Sequence, residues 1–125
     1  MPGKLIAVPS LKPGGLESEC SAHFGQSDVF TILEIDGGKV AEVRVVDNVE
    51  HVQGGCLAPV ALLRGLGVDT LLVGGIGMRP LQGFQQMGIE VLGLAIGTVG
   101  TALQDYLDDG LTPFDERNVC GHSCH

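Results

Sequence analysis

The sequence predicts a single α/β domain with a mixed five-stranded sheet, and three observations lead to this prediction. Short apolar strand patterns alternate with helical patterns in the second half, which is typical of parallel β-α-β units with right-handed crossovers. In the first half, two alternating segments flank Gly37-Gly38, which predicts an antiparallel hairpin. The length of 125 residues suits one domain, since domains commonly contain about 100–150 residues.

The predicted elements follow the order β-β-β-α-β-α-β-α. The strands are expected at Lys4–Pro9, Asp28–Asp36, Lys39–Asn48, Asp69–Val73 and Ile89–Ala95. The helices are expected at Gly55–Leu66, Arg79–Met87 and Thr98–Asp108. We expect residues 1–111 to form the domain and residues 112–125 to form an irregular, Cys/His-rich C-terminal tail.

Residue types at the helix ends support these boundaries. Proline suits only the first turn of a helix, so Pro59 places the start of the first helix nearby. Gly88 ends the second helix, and Thr98 or Thr101 is expected to cap the third.

Composition and charge argue against several classes of function. The chain has 7 basic and 15 acidic residues, a formal net charge of −8, which would repel nucleic-acid phosphates. Its longest apolar runs are far shorter than the roughly 20 residues that cross a membrane. The amino terminus has no apolar signal region, so we expect a cytoplasmic protein with reduced thiols. Four cysteines therefore indicate metal or redox chemistry rather than disulfides.

The predicted connectivity brings distant segments together. The first, third, fourth and fifth strands should finish at one end of the sheet, the carboxyl end, where open α/β sheets bind ligands. The segments that follow these strands contain Cys20 and His23, then His51, Gly54, Gly55 and Cys56, then Gly74–Met78, and finally Gly97.

The first group of candidate ligands lies in these segments. Thiolate and imidazole suit zinc, copper(I) and iron–sulfur species. Cys56 lies near the N-terminus of the first predicted helix, whose dipole favours the thiolate, although a cysteine there is equally consistent with core packing. His23 lies in a polar, glycine-flanked loop and is favoured as a functional residue, whereas His51 is equally consistent with a solvated strand end.

The second group is the terminal hexapeptide, residues 120–125. Four of its six residues are candidate metal ligands: Cys120, His122, Cys124 and His125. The spacing matches no zinc-finger pattern, so the prediction depends on composition alone. A disordered tail with adventitious metal affinity is the alternative.

Several enzyme classes are disfavoured. The sequence has no phosphate-binding G-x-x-x-x-G-K-[ST] loop, no G-x-G-x-x-G and no C-x-x-C. The glycines at Gly74-Gly75-Ile76-Gly77 are better explained by close turning than by anion binding. A non-catalytic protein is therefore expected.

Four segments resemble the nitrogenase iron–molybdenum cofactor biosynthesis family, which includes NifX-like carriers and the C-terminal domain of NifB. They are SAHFGQSDVFTILEIDGGKV, the GGC that opens a helix, DTLLVGGIGMRPLQGFQQMGIEVL and GTVGTALQDYLDDGL. The resemblance covers about residues 4–111. Its most recognisable parts are H-F-G at His23–Gly25, the glycines at Gly74–Gly77 and the G-I-x-V of Gly88–Val91.

The resemblance implies a three-layer α/β/α ribonuclease-H-like fold and non-catalytic carriage of metal–sulfur cofactors. It implies a cluster ligand at His23. Stand-alone relatives occur in anaerobes; one branch, the orange proteins, holds a molybdenum–copper sulfide cluster, and some relatives work alongside MinD-like ATPases. The cofactor-binding set is then expected to contain Cys20, His23, Phe24, Gly25, Gly54, Gly55, Cys56, Gly75 and Gly77.

The leading hypothesis is a carrier or scaffold for a cluster of Fe, Mo and/or Cu with sulfide. The expected metal ligands are His23, Cys56, Cys120, His122, Cys124 and His125. Expected partners are cluster donor or acceptor proteins, and the chain is expected to be a monomer or a weak homo-oligomer. Two alternatives stay open: a regulatory module that docks on a MinD-like ATPase, and a simple domain that binds zinc through its tail.

Overall fold

The computed structural model describes residues 4–21, 27–47, 58–74, 76, 78–93, 97–108 and 112–113. The strands are β1 (Lys4–Ser10), β2 (Val29–Asp36), β3 (Lys39–Asp47), β4 (Thr70–Leu72), β5 (Glu90–Gly93) and β6 (Thr112–Pro113). The helices are α1 (Ala58–Gly65), α2 (Met78–Gln86) and α3 (Val99–Leu107). All eight predicted elements are thus present in the predicted order, and β6 follows them.

The strands form a mixed sheet in the order β3-β2-β1-β4-β5-β6. β1 is central, antiparallel to β2 on one side and parallel to β4 on the other. The two glycines between β2 and β3 have φ angles of 63° and 81°, as a two-residue hairpin turn with positive φ at both positions requires. The predicted mixed sheet and its hairpin are confirmed.

The expectation of an irregular tail is wrong at its first residues. Thr112 and Pro113 pair antiparallel with Gly93 and Leu92, on the outer side of β5. Two residues are too few for an alternating pattern, so sequence periodicity could not predict this strand. The proline is tolerated because an edge strand does not need every backbone donor.

Helices cover both faces of the sheet. On one face α1 and α2 pack on the sheet through buried side chains that include Leu63, Leu81 and Phe84. On the other face, which we call the α3 face, α3 packs through Val99, Ala102 and Leu103. Successive side chains along a strand lie on opposite faces of the sheet, so the same strands contribute side chains to the cores on both faces. The arrangement is therefore three-layered, α/β/α.

The helix boundaries follow local chemistry. Thr98 is the N-cap of α3, and its side chain accepts a hydrogen bond from the Thr101 backbone N–H. This confirms the first of the two expected caps. Gly88, with φ of 76°, follows α2 as predicted. Pro59 is the second residue of α1, within its first turn.

Candidate metal–sulfur site at the carboxyl end of the sheet

Four strands finish at the same end of the sheet, as their registers require. Val29 lies opposite both Ser10, the last residue of β1, and Asp47, the last residue of β3. β4 runs parallel to β1, and Leu72 at its end lies opposite Leu92 of the parallel β5. The carboxyl end predicted from connectivity is therefore confirmed for the strands.

The centre of this end is a topological switch point. From β1 the chain leads to β2 on one side, whereas from the neighbouring β4 it leads through α2 to β5 on the other. Open α/β sheets bind ligands where two such connections diverge, which here is between the ends of β1 and β4. Ser10 is the last residue of β1, and Gly74 follows β4 by two residues.

The loop that follows β1 folds back on the strand it leaves. The Leu11 N–H donates to the Glu19 carbonyl at 3.0 Å, and Cys20 forms a bridge with Ser10. The Cys20 N–H donates to the Gly97 carbonyl at 2.8 Å, which links this loop to the segment after β5. Two of the predicted carboxyl-end segments are thus joined directly by backbone hydrogen bonds.

The segment that contains the H-F-G motif is anchored on both sides. Before it, the Ser21 N–H donates to the Pro9 carbonyl at 2.8 Å. After it, the Asp28 N–H donates to the Ser10 carbonyl at 3.0 Å. Both anchors are carbonyls at the end of β1, so the chain leaves β1 and returns to it on either side of the motif.

A buried hydroxyl pair lies beneath these anchors, and sequence reasoning missed it. The Ser10 hydroxyl donates to the Val8 carbonyl at 2.6 Å and lies 2.9 Å from the Thr31 hydroxyl oxygen. Because the single Ser10 hydrogen is directed at Val8, Thr31 donates to Ser10. Thr31 also accepts from the Gly15 N–H at 3.1 Å, so the pair ties β1, β2 and the loop together. The only sequence indication was two hydroxyl residues inside apolar strands.

The first turn of α3 is satisfied by the same loop. The Val99 and Gly100 N–H groups each donate at 2.8 Å, to the Ser18 and Leu16 carbonyls respectively. A Cβ on Gly100 would lie 3.2 Å from the Leu16 carbonyl oxygen, so glycine permits this close approach. The start of α3 therefore fixes the loop that contains Cys20.

Cys20 is the one predicted cofactor-binding residue that the structure describes. It is half-buried and packs against the core of the α3 face. Burial raises the pKa of its thiol to about 11, so it is protonated at neutral pH. Binding a metal through this sulfur would require loss of that proton. Its position favours a packing role, and its role as a cofactor contact stays a prediction.

The other predicted site residues lie outside the described residues. They are His23, Phe24, Gly25, Gly54, Gly55, Cys56, Gly75, Gly77, Cys120, His122, Cys124 and His125, together with the equivocal His51. Within the described part of the chain, no three His, Cys, Asp or Glu residues come together as a metal site would require. The ligand set therefore stays a prediction.

The direction of β6 bears on the terminal Cys/His group. Thr112 lies opposite Gly93, at the carboxyl end of β5, and β6 then runs antiparallel to β5. At Pro113 the chain is therefore directed towards the amino end of the sheet. Although α3 runs towards the amino end of the sheet, the first two tail residues therefore lie beside the carboxyl half of β5.

These features define a class: a small α/β/α domain whose mixed sheet has a topological switch point beside β1. Residues 4–109 match the sequence model of a family described as dinitrogenase iron-molybdenum cofactor. The chain belongs to this family, which is related to iron–molybdenum cofactor biosynthesis, and the resemblance found in the sequence is confirmed.

Similar proteins span nearly the same length. The uncharacterized protein MJ0580 of Methanocaldococcus jannaschii is 26% identical over 97 residues, 76% of this chain and 82% of that protein. The apo form of the orange protein from Desulfovibrio gigas is 27% identical, with a TM-score of 0.74 over 90% of this chain and 98% of that one. The crystal structure of PH0822 is also 27% identical, with a TM-score of 0.75 over 90% and 97% of the two chains.

Among the described residues, no helix has the length and apolar character that a membrane span needs.

Proposed function

We propose that this protein binds a metal–sulfur cluster, built from Fe, Mo and/or Cu with sulfide, as a cargo that it carries or assembles without catalysing a reaction. The observation that supports this most is the double anchoring of the H-F-G segment. The Ser21 and Asp28 N–H groups fix both sides of that segment to the end of β1, beside the switch point. A ligand on such a segment starts from a rigid base.

His23 is the proposed principal ligand. It follows the Ser21 anchor by two residues, and its imidazole suits Fe and Cu. Phe24 and Gly25 complete the motif, and Cys56, preceded by Gly54 and Gly55, is proposed as a thiolate ligand from the segment after β3. Gly75 and Gly77 are proposed to allow the cluster to approach the backbone after β4.

Rigidity beneath the site supports a preformed cradle. The Ser10–Thr31 hydroxyl pair is buried, and both hydroxyls have hydrogen-bond partners. Fully satisfied buried polar groups fix one local arrangement, because breaking any of their hydrogen bonds leaves an unpaired group in the core. A carrier that must hold its cargo loosely enough to pass it on benefits from geometry supplied by the protein.

The relatives support the same proposal. The orange protein is described in an apo form, which indicates that it also has a ligand-bound form. Cluster donor and acceptor proteins are then the expected partners, with a MinD-like ATPase as a further candidate. The strand order β3-β2-β1-β4-β5 also supports assigning the domain to the ribonuclease-H-like folds.

Anaerobic reconstitution tests the proposal. The chain is incubated with Fe, Mo or Cu and sulfide, desalted, and examined by metal analysis and visible absorption. We expect stoichiometric metal and sulfide to stay bound to the wild type, and His23→Ala to lose most of both while its circular dichroism is unchanged. A wild type that keeps no stoichiometric metal would contradict the proposal.

Two control variants locate the metal. Cys120→Ser/Cys124→Ser removes both tail thiols and is expected to keep the cluster, whereas the zinc-tail hypothesis expects it to lose all bound metal. His51→Ala is the matched histidine control. Equal losses in His23→Ala and His51→Ala would show that His23 has no special role.

A further inference from the structure

β3 forms an unusually exposed edge of the sheet. It is nine residues long, and most of its side chains are exposed, including Val43 at 37% and Val45 at 44%. Among the described residues no strand pairs with its outer side. Natural edge strands are commonly short, or interrupted by proline or a bulge, so that they do not pair with another chain.

β3 has one such interruption, and its position leaves the middle of the strand regular. Glu42 lies opposite Glu34, but Val40 lies opposite Ile35, so Ala41 is an extra, bulged residue. From Glu42 to Asp47 the pairing with β2 has no shift. This stretch therefore presents a regular row of outward backbone groups.

The middle of β3 is complementary to its own reverse. Two copies can be set antiparallel with Val43 opposite Val43 of the second copy. Glu42 of each then lies opposite Arg44 of the other. Beyond these three positions, residues 45–47 of each copy meet the bulged end of the other strand. We propose that β3 is a docking edge for a second copy of this chain, which joins the two sheets about a two-fold axis at Val43.

Charge selects this register over its neighbours. Along β3, residues whose backbone N–H and C=O groups face outward alternate with residues whose groups face β2. Two residues that lie opposite each other in an antiparallel pair must be of the same kind, so the two-fold axis passes between two copies of one residue. Centring on Glu42 would place two glutamates face to face, and centring on Arg44 would place two arginines face to face. Like charges directly opposite each other are destabilising, whereas opposite charges and paired valines stabilise. Centring on Val43 avoids both like-charge pairs, because it places Glu42 opposite Arg44 and the two copies of Val43 opposite each other.

The charged pair is already placed on one face. The Arg44 Nε lies 3.1 Å from the Glu42 Oε2 within the strand, and both side chains are about half exposed. In the dimer each glutamate gains a second arginine across the axis. The four side chains then form an alternating row, and networks of this kind are stronger than isolated surface pairs.

Apolar surface next to β3 adds to the interface. Val43 lies opposite Leu33, a core residue of the α3 face. On that face Val43 and the exposed Leu16 line an open cavity of about 500 Å³. The two-fold axis at Val43 brings two such cavities together. The dimer therefore removes apolar surface that the monomer leaves in water.

The strength of the dimer follows from its size. One strand pair and its flanking valines bury less than the roughly 1,600 Å² of a standard stable interface. We therefore expect a reversible dimer with a dissociation constant on the order of 10–1,000 µM, tight enough to detect by sedimentation of the full chain.

Charge variants test the register. Arg44→Glu places four carboxylates along the axis and Glu42→Arg places four guanidinium groups there, so each should lower the association constant at least tenfold and sediment as a monomer. The two variants mixed in equal amounts should form a heterodimer with wild-type affinity, because each glutamate again faces an arginine. Glu42→Arg/Arg44→Glu, which exchanges the charges, should dimerise like the wild type.

These outcomes separate association from folding. Two misfolded variants would not regain wild-type affinity on mixing. A wild type that stays monomeric at about 1 mM overturns the proposal. So does a wild-type dimer that Arg44→Glu leaves intact, since its contact would then lie elsewhere, for instance at the tail.

Cysteine pairing gives an independent geometric test. Val43→Cys places two thiols directly across the axis, where Cα atoms of paired strands lie about 4.5–5.5 Å apart, within the range of a disulfide. Val45→Cys is the matched control, since Val45 is more exposed but lies two residues from the axis in each copy. Mild oxidation should cross-link Val43→Cys several-fold faster than Val45→Cys, while the four native cysteines contribute equally to both. Equal rates would exclude the Val43 axis.

Discussion

The two ends of the sheet are built differently. At the amino end, turns and side chains close the domain: the Leu5 N–H donates to Asp69 at 3.1 Å, and the Lys4 Nζ lies 3.3 Å from the Tyr106 hydroxyl. At the carboxyl end, backbone hydrogen bonds and the Ser10–Thr31 pair fix loops that contain the proposed ligands. We therefore expect substitutions at the amino end to affect stability alone, and those at the carboxyl end to affect stability and the proposed cluster retention together.

Two glycines with similar positive φ angles, one near each end of the sheet, provide the test with the largest expected effect. Gly14, near the carboxyl end, has φ of 84°, and a Cβ there would lie 2.7 Å from the Val45 Cγ1. We expect Gly14→Ala to lower the free energy of unfolding by about 3 kcal/mol, from backbone strain plus overpacking. Gly88, at the amino end, has φ of 76° but open space around it, so Gly88→Ala should cost only about 1 kcal/mol. Urea denaturation measures both.

Cluster retention then sharpens the comparison. Gly14→Ala should retain less cluster under conditions where it is still folded, and Gly88→Ala should retain as much as the wild type. Equal retention by the two variants would break the proposed division between the ends.

Two buried threonines give the next largest effect. Thr31→Val removes the donor to Ser10 and the acceptor of the Gly15 N–H, and it should destabilise the protein by about 2 kcal/mol because buried groups lose their partners. Its effect should extend to cluster retention. Thermal denaturation with metal analysis measures both quantities.

Thr70, at the amino end, is the matched control. Its hydroxyl oxygen is buried without a hydrogen-bond partner among the residues that the structure describes. Thr70→Val replaces it by a methyl group of similar shape, so we expect a gain of about 1 kcal/mol and unchanged retention. A destabilised Thr70→Val would mean that this hydroxyl has a partner after all.

The smallest effect is a pH dependence from Cys20. Burial raises the pKa of its thiol from 9.0 to about 11, so between these values the folded state binds more protons than the unfolded state. The stabilisation is complete below pH 9 and is lost as pH rises through about 11. Solvent screening of this half-buried group limits the loss to about 1 kcal/mol.

Thiolate absorbance provides the direct measurement. In a Cys56→Ser/Cys120→Ser/Cys124→Ser variant, Cys20 is the only thiol. Its absorbance near 240 nm, taken as the difference from the same variant with Cys20→Ser so that the absorbance of Tyr106 cancels, should rise with a midpoint near pH 11. A midpoint near 9 would place Cys20 in water and remove its packing role.

Sequence reasoning succeeded where structure depends on local chemistry. The hairpin at Gly37-Gly38 and the cap at Thr98 depend on a few neighbouring residues. The order of strands and helices along the chain follows from periodicity. It failed for contacts without a period: the two-residue β6, the hydrogen bonds between the loop and the start of α3, and the bulge at Ala41. The apolar pattern of α1 also misleads at Ala61, which is exposed, whereas Leu63 is fully buried.

The candidate site divides in the same way. Its location could be predicted because strand direction fixes where the loops begin. The packing of Cys20 could not, because a cysteine in a polar loop gives no indication of which core it contacts. The hydroxyl pair beneath the site depends on a non-local contact between β1 and β2, which no single segment contains.

The backbone N–H groups at the start of α3 are already engaged in hydrogen bonds, which affects how an anionic cargo is held. A helix N-terminus attracts anions through its free N–H groups, but here Val99 and Gly100 donate to the loop and Thr101 donates to the Thr98 side chain. A sulfide-rich cluster is anionic, and the chain has a formal net charge of −8. The proposed cargo and this chain would therefore repel each other at long range, and salt would screen this repulsion beyond about 8 Å at 0.15 M ionic strength. Dilution into low salt should release the cluster faster, which makes ionic strength a means of controlling delivery.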